Sequence, residues 1–164
     1  MKEKSYKRML LAVSANNNIA QLIVLTGKII TYFVYAFYPL LILYLAFFNR
    51  SALWYVVLVP AVSFVAVSVV RHLLNMPRPY EKYDITPLYN KKTKGNSFPS
   101  RHTFSAFIIG FAALYVCVPL GIAVFVFGTL LAVSRVLCGV HFIKDVVSGA
   151  LSAVIFGVLG FIVI

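Results

Sequence analysis

Apolar residues in this chain collect into long unbroken runs, each bounded by a cluster of polar or charged positions. Residues 29–48 and 52–70 carry no charge, and each matches the roughly 17–25 residues that a helix needs to cross hydrocarbon. Two shorter runs, 103–118 and 120–133, are separated by Pro119, and 146–164 is a fifth. The pattern predicts an all-α polytopic membrane bundle of five spanning helices, because only a helix satisfies its own backbone groups in lipid. Ahead of them, residues 5–26 read as an amphipathic helix lying in the interface. A sixth span there is the alternative, with only Gly27 and Lys28 to separate it from the next.

The N-terminus resembles a signal peptide superficially, with Lys2, Lys4, Lys7 and Arg8 before an apolar stretch. Asn16, Asn17 and Asn18 interrupt that stretch, and no convincing cleavage pattern follows.

Composition sharpens the picture. Of 164 residues 62% are hydrophobic and 12% charged, with a mean hydropathy of +0.93, well above the roughly 45–50% apolar content of soluble domains. The whole chain, 1–164, reads as one integral-membrane domain, its segment 1–28 interfacial and its loop 71–102 bearing the polar motifs. The net charge of +11 does not imply nucleic acid, since the basic residues border spans and no soluble domain remains to hold a duplex. Membrane lipids and lipid phosphates are the expected partners.

With five spans, the loop 71–102, the connection 134–145 and the N-terminus fall on one membrane face, and Arg50 is the only charge on the other. Within the loop, residues 80–95 read as an irregular surface segment. Lys91, Lys92 and Lys94 read as a solvated or headgroup-facing patch, His72 as facing solvent or the interface, and the aromatic run 31–39 as an interfacial belt. Gly149, Gly157 and Gly160 read as close helix contacts. Cys117 and Cys138 belong to opposite faces, too far apart for a disulfide. Gly-rich phosphate loops, paired-Cys spacings and His-Glu-x-x-His are all missing.

Ionisable residues where spans meet loops are functional candidates, and here they form three clusters. The first is Arg71, six residues, then Arg78-Pro79; the second is Pro99-Ser100-Arg101-His102; the third, in "SRVLCGVHFIKD", is Ser134-Arg135, five residues, His141, three residues, Asp145. His141 and Asp145 are four apart, so a helical start puts them on one face. A carboxylate on one ring nitrogen frees the other as nucleophile or base. Lys144, about 100° from Asp145 on a helix, is left out. Arg71, Arg78 and Arg135 suit a phosphoryl group because each planar fork gives paired hydrogen bonds while staying charged. Helix starts near Thr103 and Val146 add backbone N–H groups, and His102 is placed to protonate a departing oxygen.

Together these clusters resemble the signature of the type 2 phosphatidic-acid phosphatase superfamily: Lys, six residues, Arg-Pro; Pro-Ser-Gly-His; Ser-Arg, five residues, His, three residues, Asp. The layout is similar to bacterial undecaprenyl-diphosphate phosphatases of the bacitracin-resistance type. The resemblance implies hydrolysis of a lipid phosphate or diphosphate in two steps through a phosphohistidine, with no metal or other cofactor. It implies His141 as nucleophile, Asp145 as its orienter and His102 as general acid and then base. Arg71, Arg78, Ser100 and Arg135 cradle the phosphate, joined by the Arg101 backbone amide. Two positions depart from the pattern: Arg71 stands for Lys, which keeps the charge, and Arg101 stands for Gly, which either crowds the pocket or adds a cation suited to a diphosphate or acidic headgroup. The resemblance places the site on the extracytoplasmic face of the cell membrane, whereas the positive-inside rule votes for the cytoplasm. Cations with a phosphate-binding reason to be there weaken that vote, and the extracytoplasmic face is the reading adopted. The alternatives are a non-enzymatic anionic-lipid-binding or transport protein, and a phosphatase of soluble esters.

Overall fold

The computed structural model describes residues 3–83, 85–89 and 93–163. Lys2, two of the three lysines of the basic patch (Lys91 and Lys92) and the last residue of the fifth run, Ile164, lie outside them. The described residues form α1 (Glu3–Ser14), α2 (Asn17–Phe48), α3 (Arg50–Leu74), a single turn α4 (Pro79–Lys82), α5 (Arg101–Val116), α6 (Val118–Leu137) and α7 (Ile143–Val158), which continues as a π-helical turn over Leu159–Val163. The protein is a multi-pass helical membrane bundle. Four of its helices are long and apolar enough to cross a bilayer, and α5 is shorter, at 16 residues or about 24 Å.

The interfacial helix expected over 5–26 is corrected. Its apolar pattern is cut at Asn16, whose side chain accepts the N–H groups of Asn18 (3.0 Å) and Ile19 (3.2 Å) and so caps a new helix. Residues 17–26 therefore belong to α2, which runs unbroken for 32 residues; the separate sixth span disappears with them. The amide interruption is a cap rather than a pause in one helix.

Burial follows the solvent. Leu73, Phe47 and Phe48 on the outer surfaces are each at least 75% exposed, as lipid-facing side chains are. The core lies along α5, where Phe104, Ala106, Ile108, Ala112 and Ala113 are buried against α3, α6 and α7. The short helix is thus the central one. Gly149 of α7 lets it close on α5: a Cβ there would stand 2.6 Å from the Ser100 carbonyl oxygen. Gly157 packs in the same way against the Phe111 ring, and Gly160 against Val59. The two cysteines flank α6 at opposite ends and are both free.

Candidate active site

His141 sits in the short connection between α6 and α7. The connection is folded over the end of α6, with the Arg135 carbonyl accepting the N–H groups of Val140 (3.2 Å) and His141 (3.3 Å). Gly139 makes this possible with φ +79°, a conformation that L side chains rarely adopt. From below, the Tyr6 hydroxyl of α1 lies 3.1 Å from both the Val136 and the His141 carbonyl oxygens, so the N-terminal helix holds the loop against the bundle.

Asp145 is in the first turn of α7, where its Oδ2 accepts the Phe142 N–H at 3.0 Å and its charge complements the helix dipole. Oδ2 is also 3.5 Å from His141 Nδ1. The shared helical face expected for this pair is corrected: His141 precedes α7, and the pair forms across the helix start, where the chain turns back on itself. Both side chains are buried, His141 at 1% and Asp145 at 0% exposure. Burial pushes the His141 pKa from 6.5 down to about 4; contact with Asp145 opposes the shift, while Arg78 and Arg71 add to it. The imidazole is therefore neutral at pH 7.

Arg71 and Arg78 come to this end of the bundle by different routes. Arg71 is in the last turn of α3 and donates from Nη1 to the carbonyl oxygens of Pro99 (2.5 Å) and Ser97 (3.2 Å). Arg78 precedes α4 and donates to the carbonyls of Gly95 (3.1 Å), Val140 (3.3 Å) and Asn96 (3.4 Å). Burial lowers its pKa, with Tyr80 and Glu81 opposing. The irregular segment expected over 80–95 is corrected at its start, where residues 80–82 belong to the turn α4; its described residues 85–89 and 93–95 form no helix or strand, and the end that carries these carbonyls is held in place. Glu81 accepts the Arg78 N–H (2.8 Å) and the Gly95 N–H, and the Ser97 N–H donates to the Met76 carbonyl at 2.8 Å.

Ser100 is fully buried at the start of α5, its N–H donating to the Asp145 carbonyl (2.9 Å) and its hydroxyl accepting from Thr103 (3.2 Å). Arg101 and His102 open α5, Arg101 exposed and His102 half-buried. Arg101 lines, with Ser68, Arg71, His72, Arg78 and Lys94, a cavity of about 450 Å³. His72 is exposed, as expected, but on the rim of that cavity. Lys144 lies over the Phe98 and Phe142 rings at 5.8 and 5.9 Å.

One candidate points elsewhere. The Arg135 guanidinium donates to Thr31 Oγ1 on α2 (2.7 Å) and stacks on the Tyr89 ring at 4.9 Å, away from the carbonyls that hold Arg71 and Arg78. Its backbone carbonyl, rather than its charge, supports His141 here. A residue that sequence reasoning missed is Ser97, fully buried, with its Oγ 2.5 Å from Asp145 Oδ2 and 3.4 Å from His141 Nδ1. Its partners are 44 and 48 positions away, and no spacing rule points to it. Among the described residues, no three His, Cys, Asp or Glu side chains gather as a metal site requires.

A helical membrane bundle whose polar end holds a buried neutral histidine, its carboxylate partner and two buried arginines defines the class: an integral-membrane protein with a site suited to a phosphorylated ligand. The PAP2 superfamily matches residues 52–164, and the chain belongs to that superfamily. Among its relatives, the chain is 29% identical over 136 residues to undecaprenyl-diphosphatase BcrC of Bacillus subtilis (strain 168), covering 80% of this chain and 70% of that protein. It is also similar to the crystal structure of Aquifex aeolicus LpxE, with a TM-score of 0.70, 26% identity, and 89% of this chain and 94% of that one covered. The fold is shared with a transmembrane PAP2-type phosphatidylglycerolphosphate phosphatase from Bacillus subtilis, with a TM-score of 0.72, 20% identity, and coverage of 95% and 82%.

Proposed function

We propose that this protein is a membrane phosphatase that hydrolyses a lipid phosphate or diphosphate through a phosphohistidine, with an undecaprenyl diphosphate or a phospholipid phosphate as substrate. The observation that carries the reading is the buried His141–Asp145 pair beside Arg71 and Arg78. In the first step the His141 Nε2 lone pair attacks phosphorus, the P–N bond forms, the bond to the leaving oxygen breaks, and His102 gives that oxygen a proton. In the second, His102 takes a proton from water, whose oxygen displaces His141 and releases inorganic phosphate. Arg71, Arg78, the Arg101 amide and Ser100 hold the equatorial oxygens, where charge develops. Arg135, whose buried Nε has no partner among the described residues, joins them by turning from Tyr89. No step uses a metal ion.

The relative's substrate and the basic cavity beside the site support a diphosphate or an acidic headgroup. The resemblance to the undecaprenyl enzymes supports an extracytoplasmic site in the cell membrane. Purified protein in detergent should release inorganic phosphate from farnesyl diphosphate or short-chain phosphatidic acid in excess EDTA, and His141→Ala should not. A folded wild type inert on both, and on a soluble ester such as glucose 6-phosphate, would sink the reading. The exposed Arg101 on the cavity rim favours the second reading, a protein that binds anionic lipid without cleaving it. Labelled phosphate trapped on His141 under alkaline quench separates the two, since a binding protein forms no P–N bond.

A further inference from the structure

Among the buried polar groups around His141 is a serine hydroxyl that the proposed chemistry does not use. Ser97 Oγ stands 2.5 Å from Asp145 Oδ2 and 3.4 Å from His141 Nδ1, with the serine fully buried. A buried hydroxyl left unbonded costs about 1–3 kcal/mol, and of its two neighbours the carboxylate oxygen at 2.5 Å, rather than Nδ1 at 3.4 Å, is within hydrogen-bond reach to take the proton. Ser100, the serine of the recognised motif, makes no such contact; its hydroxyl accepts from Thr103.

Proton counting then fixes the imidazole. Ionised Asp145 can only accept. Ser97 has one proton, donated to Asp145, so toward His141 its oxygen can only accept as well. Nδ1 faces these two acceptors and must therefore carry the ring's N–H. Its distances to Asp145 Oδ2 (3.5 Å) and Ser97 Oγ (3.4 Å) both exceed the usual 2.7–3.2 Å, so neither acceptor holds the ring alone. We infer that Ser97 is a positioning residue: its hydroxyl accepts the Nδ1–H of His141 while donating to Asp145, and so helps hold the tautomer whose Nε2 lone pair is bare. The same residue anchors the surroundings through its backbone, its carbonyl accepting from Arg71 and its N–H donating to Met76. Those bonds survive a side-chain substitution, which isolates the hydroxyl's role.

The inference rests on the proposed nucleophilic role of His141 for its effect on rate, but not for the tautomer itself. With three histidines in the chain, ¹⁵N spectra of histidine-labelled protein in detergent can be assigned by single substitution. The wild type should show His141 with a protonated Nδ1 and a bare Nε2. In Ser97→Ala the tautomers should mix. With farnesyl diphosphate as substrate, kcat should fall roughly 10- to 100-fold, by analogy with the loss of a partner that orients a metal-binding histidine, while KM changes little. The acid limb of the kcat profile should move to higher pH, because a carboxylate freed of the serine proton stabilises the imidazolium more. Ser97→Thr, which keeps the hydroxyl, should restore most of kcat. A wild-type imidazole protonated on Nε2 would overturn the inference without any variant. So would a Ser97→Ala protein with unchanged tautomer and pH profile. A wild type inert on every phosphate ester but showing the Nδ1–H tautomer would instead remove the phosphatase reading and leave this one standing.

Discussion

Arg78 donates from Nη1 to the carbonyl oxygen of Val140, 3.3 Å away and 62 positions along the chain. That bond joins the first polar cluster to the third, one residue before His141, while two further bonds from the same guanidinium hold Gly95 and Asn96. Arg78→Ala should therefore do two things at once. If Arg78 holds the phosphate as proposed, turnover should fall at least about 100-fold, and the protein should lose about 1–3 kcal/mol for a buried carbonyl left unpaired. Arg78→Lys keeps the charge but cannot span three carbonyls, and should fall between. Parallel kinetics and thermal unfolding in one detergent check both.

The buried neutral state of His141 makes stability depend on pH in a definite direction. Its pKa is about 4 in the folded protein against an ordinary 6.5, so between those values the unfolded chain binds a proton that the folded one refuses. Stability should be full above pH 6.5, decline as pH falls, and have lost on the order of 3 kcal/mol by pH 4. His141→Asn should flatten that part of the curve, measured as melting temperature against pH.

Catalysis should follow the same group. In the proposed mechanism His141 attacks unprotonated, so the acid limb of kcat/KM should lie near pH 4 rather than near 6.5, with a fall on the alkaline side where the proposed general acid loses its proton. A profile flat from pH 3 to 9 would count against both roles.

Arg101 tests substrate class. It lines the basic cavity with His72 and Lys94, and in the proposed reading it meets a second phosphate beyond the one attacked. Arg101→Gly should lower kcat/KM for farnesyl diphosphate about tenfold more than for the monophosphate, as expected for one lost charge-assisted contact worth about 1.5 kcal/mol. Equal losses on both would assign Arg101 no role in discrimination.

Packing around Gly149 predicts a purely structural lesion with a functional consequence. A Cβ there would meet the Ser100 carbonyl at 2.6 Å, pushing α7 away from the start of α5 and straining the Ser100–Asp145 backbone bond. Gly149→Ala should cost about 1–3 kcal/mol and lower activity, although Gly149 touches no reacting group. Thermal unfolding and kcat measured together check it.

Much of this was written in the chain locally. Runs of apolar residues about one bilayer long, broken by polar clusters, determine a helical membrane bundle, because hydrocarbon leaves the backbone no other solution. The alternation of those runs determines that Arg71, Arg78, Ser100, His102 and His141 reach one end, since each span reverses direction. Asn16 is a local signal too, an amide side chain that caps α2 and so divides residues 5–26 between two helices.

What tertiary structure alone decided was the direction and partnership of side chains. Arg135 belongs to the same cluster as His141 by spacing, yet its guanidinium turns to Thr31, 104 positions away, because α2 and α6 pack there and Tyr89 offers a ring. His141 and Asp145 meet across the start of α7 rather than along a helical face. Ser97 meets both only because the chain just before α5 folds back onto Arg71. A bond between groups dozens of residues apart depends on how helices pack, and hydrophobic periodicity, which reports only whether a position faces lipid, core or water, carries no record of it.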